Sequence, residues 1–135
     1  MKKITIFFNR DKGLFFFRMI ISMILYINHG HEKLFHFSEM LSKIADPLHI
    51  GKLPGLLFAA FSDVFCALLL LLGFKTKIAS FVIAFNTLVA FILVQHGDVT
   101  TFRGEIALLF FSSSLLLFFT GPGIYSLDEF MKKAE

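Results

Sequence analysis

The segment Pro54–Leu72, PGLLFAAFSDVFCALLLLL, decides the fold of this chain, because its 19 residues hold a single charged side chain, Asp63. A helix needs about 20 mainly apolar residues to cross the hydrocarbon core of a bilayer. Apolar and polar residues do not alternate along the segment as they would in a β-barrel strand. A helix satisfies its own backbone hydrogen bonds in lipid, so the segment predicts a membrane-spanning helix.

Three further segments have the same character: Gly13–His29, Lys77–His96 and Glu105–Thr120. The whole chain is 56% hydrophobic and 17% charged, and 20 of its 135 residues are Phe. A small soluble domain has too little interior to bury so many apolar side chains. The sequence therefore predicts an all-α integral membrane protein, a four-transmembrane-helix bundle that forms a single domain over residues 1–135. This composition argues against a soluble enzyme and against a nucleic-acid-binding domain.

The connection between the first two spans is the longest in the chain. Its apolar positions recur at near-helical spacing, which favours a short amphipathic interfacial helix over Phe37–Ala45. The dipeptide Asp46-Pro47 is expected to end that helix, since the residue before a proline disfavours helical geometry. A plain solvated loop is the alternative.

The distribution of basic residues predicts the orientation of the chain. Eight lysines and arginines fall on the side of the N-terminal segment, the middle turn and the tail: Lys2, Lys3, Arg10, Lys12, Lys75, Lys77, Lys132 and Lys133. Four fall on the other side: Lys33, Lys43, Lys52 and Arg103. Cytoplasmic loops carry the excess of Lys and Arg, so both termini are expected in the cytoplasm, with the chain in the cytoplasmic membrane.

Ionisable residues inside the spans are costly and usually face the interior of a bundle. Measured from the outer face at about 1.5 Å per residue, Arg18 is about 16 Å deep, Asn86 about 15 Å and Asp63 about 12 Å. This common depth predicts an Arg18–Asp63 ion pair with Asn86 alongside. One interpretation is a buried pair that fixes helix register. The other is a polar pocket that holds a quinone oxygen or relays a proton.

A second polar layer is predicted at the outer face, formed by His29, Glu32, His96 and Glu105. These residues are either interfacial caps of the helices or groups that exchange protons with a ligand. We identify no metal, haem or flavin motif, because no helix carries ligand spacing such as HxxxH. The single cysteine, Cys66, excludes an intramolecular disulfide.

Several short motifs resemble the DoxX family in order and spacing. They are Arg18 followed by His29-Gly30 and Lys33-Leu34, then an acidic residue followed by LLLLLGFKTKIAS, and the tail GPGIYSLD at 121–128. The resemblance runs from about Leu14 to Asp128. It implies a small four-helix bacterial or archaeal membrane protein, and some family members are subunits of a thiosulfate:quinone oxidoreductase. Many relatives have Glu where Asp63 stands, and no thiosulfate-binding signature is present here.

The polar residues and the resemblance together suggest a quinone-associated subunit of a membrane redox system, active as an oxidoreductase only with a partner. The alternatives are a carrier or sensor for a lipid-like or small hydrophobic ligand, and a membrane scaffold for soluble redox partners. Besides the bilayer, the expected partner is a soluble or membrane redox subunit, not nucleic acid, and self-assembly is left open. The candidate ligand-binding residues are Arg18, His29, Asp63, Asn86, His96 and Glu105.

Overall fold

A computed structural model of the chain describes residues 9–135, and every regular element in that range is helical. Lys2 and Lys3, which entered the charge count, lie outside the described residues. We number the helices α1 (Arg10–Phe35), α2 (Phe37–Lys43), α3 (Lys52–Leu72), α4 (Thr76–Val94), α5 (Phe102–Thr120) and α6 (Leu127–Ala134).

The fold class predicted from the sequence is confirmed. Helices α1, α3, α4 and α5 are long and apolar enough to cross a membrane. Their inner faces meet in a core that takes a residue from each span: Leu25, Leu70, Ile83 and Leu117. The predicted end of the first span is wrong, because α1 continues past His29 to Phe35. Gly30 keeps helical angles (φ −78°, ψ −43°) and does not end the helix.

Three spans widen locally into π-helical turns, at Tyr26–Gly30 in α1, Phe61–Cys66 in α3 and Ala90–Val94 in α4. Such turns are rare and accumulate at functional sites. The first two pack against each other. At their contact a Cβ on Gly30 would collide with the carbonyl oxygen of Asp63, so only glycine allows α1 and α3 to approach this closely.

The short helix between the first two spans is confirmed as α2, which ends at Lys43, before the predicted Ala45. Ile44 is already extended (φ −69°, ψ 141°). The Asp46 carboxylate then accepts hydrogen bonds from the backbone N–H groups of Ile50 (3.2 Å) and Gly51 (3.1 Å). Asp46 therefore organises the turn that leads into α3.

We call residues 121–128 the tail strap, because this segment crosses the end of the bundle where α1 begins. The backbone N–H of Ile124 donates to the Asp11 carboxylate (3.2 Å). The N–H of Asp128 donates to the Gly73 carbonyl (2.9 Å). The Asp128 carboxylate accepts from the N–H groups of Lys75 (2.7 Å) and Thr76 (3.0 Å). The start of α1, the turn between α3 and α4, and the tail strap therefore share one end of the molecule.

Candidate functional site

A buried ion pair joins the first two spans. The Lys33 ammonium lies 2.8 Å from Asp63 Oδ2, and the two side chains are only 11% and 6% exposed. On the other side of the carboxylate, Asn86 Nδ2 donates to Asp63 Oδ1 (3.2 Å). The expected contact between Asp63 and Asn86 is confirmed. We refer to Lys33, Asp63 and Asn86 as the central cluster.

The local structure of α1 brings Lys33 to this depth. Side chains on a helix lean toward its N-terminus, so the long stem of Lys33 reaches back one turn. There Lys33 Nζ also donates to the His29 carbonyl oxygen (2.9 Å), which lies in the π-helical turn. The missing side chain at Gly30 lets α3 come close enough for Asp63 to meet the ammonium.

His29 lies beside the central cluster and connects it to the fourth span. Its half-buried imidazole meets the ring of Phe110 edge-on, with the ring centroids 5.7 Å apart and the planes at 88°. Since Phe110 belongs to α5, residues from all four spans converge here. Of these polar residues, His29 is the one that contacts the aromatic ring of the fourth span.

The central cluster retains unused hydrogen-bonding capacity. A lysine ammonium has three N–H donors, and Lys33 directs two of them at His29 O and Asp63 Oδ2. The Asn86 amide has two N–H donors, and one goes to Asp63. The imidazole nitrogens of His29 form no hydrogen bond to another described residue. A ligand carbonyl oxygen could therefore be held by donors that the protein does not itself consume.

Arg18 does not belong to the central cluster, and the predicted Arg18–Asp63 pair is wrong. Arg18 is 1% exposed, and its Nη1 donates to the carbonyl oxygens of Leu70 and Leu71, both at 2.9 Å. Its Nη2 donates to the Tyr125 carbonyl (2.7 Å) in the tail strap. Seven residues along α3 separate Leu70 from Asp63, or about 10 Å. The depth calculation failed because it took His29 as the outer end of α1.

The second predicted layer is not assembled in the structure. Glu32, His96 and Glu105 are exposed, and no hydrogen bond or ion pair between described residues links them to one another or to His29. His96 lies in the turn after α4 with a φ of 54°, and Glu105 lies in the first turn of α5. Across residues 9–135, no three His, Cys, Asp or Glu side chains are grouped closely enough to hold a metal ion.

An open groove of about 350 Å³ lies at the same end of α1 as Lys33, between α1 and α2. Within it the Lys43 ammonium donates to Glu39 Oε1 (2.5 Å), which lowers the pKa of Glu39 and raises the pKa of Lys43. Both groups are well exposed, so water screens the pair. The groove is lined by His31, Glu32, His36, Glu39, Met40 and Lys43.

Lys33 is the site residue that the sequence prediction missed. Placing the end of the first span at His29 assigned Lys33 to a solvated loop, whereas the structure keeps it in α1. Two signals could have found it. Its spacing of four from His29 puts both residues on one helix face, and it stands within the motif that resembles the DoxX family.

The fold and the central cluster define a small multi-pass membrane protein in which four spanning helices enclose a buried lysine–aspartate pair. A family model described as DoxX matches residues 13–96, more than half of the sequence, and the chain belongs to the DoxX family. The match ends before α5, so the likeness of the tail strap to the family stays a resemblance of motifs. No curated protein and no solved structure matches the chain significantly.

Proposed function

We propose that this chain is a quinone-associated subunit of a membrane redox system, with the quinone headgroup bound at the central cluster. The observation that carries the proposal is the buried Lys33–Asp63–Asn86 arrangement, which still has donors to offer inside an apolar bundle. Binding sites for small molecules are mainly apolar and contain a few polar groups that fix orientation. A quinone needs this combination, since its two carbonyl oxygens accept hydrogen bonds and its ring is apolar.

The free N–H donors of Lys33 and Asn86 are suited to one quinone carbonyl, and Phe110 offers an aromatic surface to the ring. His29, beside Phe110, would exchange the proton that accompanies reduction, because a neutral imidazole has one donor and one acceptor nitrogen. Asp63 would act as a positioning residue that holds the Lys33 ammonium in place. Amino-acid side chains of this cluster do not supply electrons, so we assign the electron donor to a partner subunit.

We also propose that the chain lies in the cytoplasmic membrane with its N-terminal segment and tail in the cytoplasm. The support is the excess of Lys and Arg at that end, since cytoplasmic loops carry this excess. Lys33, counted with the opposite side in the sequence, lies in the buried cluster, which leaves Lys43, Lys52 and Arg103 there.

The test is binding of a short-chain quinone to the protein in lipid nanodiscs, quantified by mass spectrometry of the retained ligand. The informative variant is the double substitution Lys33→Met/Asp63→Asn, which removes the charged donor and leaves no unpaired charge. We expect an affinity loss of about tenfold or more, as for a hydrogen bond from a charged group. Lys43→Met, at the same end but exposed, is the matched control and should bind like the wild type. Equal binding by the double variant would contradict the proposal.

A scaffold function is the second candidate, and one observation favours it. The Asp63 charge is already paired with Lys33, and the Arg18 guanidinium is held by backbone carbonyls, as expected if these residues only hold helices together. A scaffold would retain no quinone in nanodiscs. A carrier of hydrophobic ligands would retain an isoprenoid alcohol, which lacks the two carbonyls, as well as it retains the quinone.

A further inference from the structure

Helix α6 carries an apolar face that no described part of the protein covers. Leu127, Phe130 and Met131 are 40%, 69% and 49% exposed. Their spacing of three and four residues places them on one side of the helix. Asp128, Glu129, Lys132 and Lys133 occupy the remaining positions of the helix, apart from the small apolar Ala134 at its end. An exposed apolar stripe next to charged residues is typical of helices that lie in the surface of a membrane.

The tail strap fixes the first turn of α6 at the level where the spans end. The Ser126 hydroxyl caps the helix by accepting from the Glu129 N–H (3.3 Å). Asp128 makes three hydrogen bonds to the backbone at the turn between α3 and α4. Its N–H donates to Gly73, and its carboxylate accepts from Lys75 and Thr76. Because that turn joins two membrane-spanning helices, α6 begins at the depth of the lipid headgroups.

Basic side chains surround this position. Lys75 is exposed in the turn to which α6 is bound, Lys77 is exposed in the first turn of α4, and Lys133 is exposed on α6 itself. Three of the nearby acidic groups are occupied: the carboxylates of Asp128 and Asp11 accept backbone N–H groups, and Glu129 pairs with Lys132 at 2.8 Å, whereas Glu135 is exposed after the end of α6. The surface is therefore complementary to the negative charge of anionic phospholipid headgroups.

We propose that α6 lies along the membrane surface as an anionic-lipid-binding anchor. Its Leu127, Phe130 and Met131 side chains insert at the boundary between headgroups and acyl chains. Lys75, Lys77 and Lys133 bind the phosphate groups of anionic phospholipids in the same leaflet. This inference is independent of quinone binding, because α6 lies at the end of the bundle opposite Lys33.

Insertion is tested with Phe130→Trp, which has a single indole because the natural sequence contains no Trp. The full chain is reconstituted in phosphatidylcholine–phosphatidylglycerol vesicles, with and without lipids brominated near the top of the acyl chains. We expect blue-shifted emission and strong quenching by the brominated lipid. Lys132→Trp, on the polar side of α6, is the control and should emit like a water-exposed indole.

Two results of this experiment would overturn insertion. Quenching of the Phe130→Trp variant by aqueous iodide would place α6 in water. A blue-shifted emission that brominated lipid does not quench would mean that protein, such as a second copy of the chain, covers the apolar face.

Headgroup recognition is tested by the ratio of phosphatidylglycerol to phosphatidylcholine retained on the purified protein, measured by native mass spectrometry. The triple variant Lys75→Gln/Lys77→Gln/Lys133→Gln should lose roughly fivefold or more of the wild-type preference for phosphatidylglycerol, given the attraction of each lysine to an anionic surface. The control triple variant Lys43→Gln/Lys52→Gln/Arg103→Gln, at the other end of the molecule, should keep more of that preference. No preference in the wild type, or an unchanged preference in the first triple, would overturn the lysine site.

Discussion

Asp63 is held by donors from two different helices, an ammonium from α1 and an amide from α4. A buried charge pair gains little net stability over apolar residues of the same volume, because both charges have lost their hydration. Removing one partner is far more damaging, since the remaining charge is left without compensation. The pair therefore restricts which substitutions the bundle tolerates at these two positions.

We expect Lys33→Met alone to lower the free energy of unfolding by roughly 3–5 kcal/mol, the range for breaking a buried pair. The double variant Lys33→Met/Asp63→Asn should recover most of this loss. The side-chain amide introduced at position 63 is neutral, and its oxygen can still accept the hydrogen bond from Asn86. Unfolding by sodium dodecyl sulfate, followed by circular dichroism, measures both. A double variant as unstable as the single one would show that the charges do not compensate each other.

Gly30→Ala should destabilise the bundle, because the new Cβ would meet the backbone of Asp63, which cannot move aside. We expect a loss of roughly 1–3 kcal/mol, as for overpacked cores. Gly13→Ala is the matched control, since nothing lies within 4 Å of its added Cβ and alanine favours a helix. The same detergent titration compares them. Equal stability of the two variants would argue against a close approach of α1 and α3 at Gly30.

The sequence allowed part of the central cluster to be predicted. Asp63 and Asn86 lie well inside their spans, where hydropathy defines the depth, so their contact could be anticipated. Lys33 and Arg18 were assigned wrongly, because their partners depend on where α1 ends. The apolar run of the first span stops at His29, whereas helix α1 continues to Phe35. Lys33 can lie inside the bundle because Asp63 neutralises its charge.

At the level of elements, the ends of α3 and α4 are stabilised by side chains that are distant in sequence. The Arg18 guanidinium donates to two carbonyls in the last turn of α3, which carry the negative end of the helix dipole. The Asp128 carboxylate accepts from the backbone N–H of Thr76, the first residue of α4, and from that of Lys75, the residue before it. Each charge lies where the dipole of the helix favours it.

Asp128→Ala should release the tail strap from the turn before α4. We expect a loss of roughly 0.5–2 kcal/mol, the usual effect of removing such a cap, and faster proteolysis of residues 121–126. Asp128→Asn should retain most of the stability, because its amide oxygen can still accept. Glu129→Ala, which removes only an exposed pair with Lys132, is the control. Wild-type proteolysis of Asp128→Ala would contradict the capping role.

The four spans and α2 were predictable because composition and periodicity report directly on lipid contact and on helix faces. The path of the tail strap could not be predicted from composition or periodicity. Gly121-Pro122-Gly123 marks the end of α5, but the residues after it are placed by contacts with Asp11, Arg18 and Gly73, which are far away in sequence. The three π-helical turns were also missed, since they depend on packing between helices.

For the whole molecule, the structure places the start of α1, the middle turn and the tail at one end, and we propose from the charge count that this end faces the cytoplasm. We expect a membrane-impermeant thiol reagent to label Lys43→Cys in intact cells and Lys77→Cys only after permeabilisation. Both positions are exposed, and both variants are made in a Cys66→Ala background because Cys66 is the natural thiol. The opposite pattern would reverse the orientation.

The position of Arg18 also constrains the order of events at the ribosome. Its carbonyl partners on α3 follow it by 52 and 53 residues, and its partner in the tail follows by 107. At about 5–20 residues per second, the last of these emerges roughly 5–20 s after Arg18. We expect the nascent first helix to keep its guanidinium at the level of the headgroups until these carbonyls arrive, because an unpaired arginine is costly in hydrocarbon. The hydrogen bonds that hold Arg18 in the folded bundle are therefore completed only late in translation.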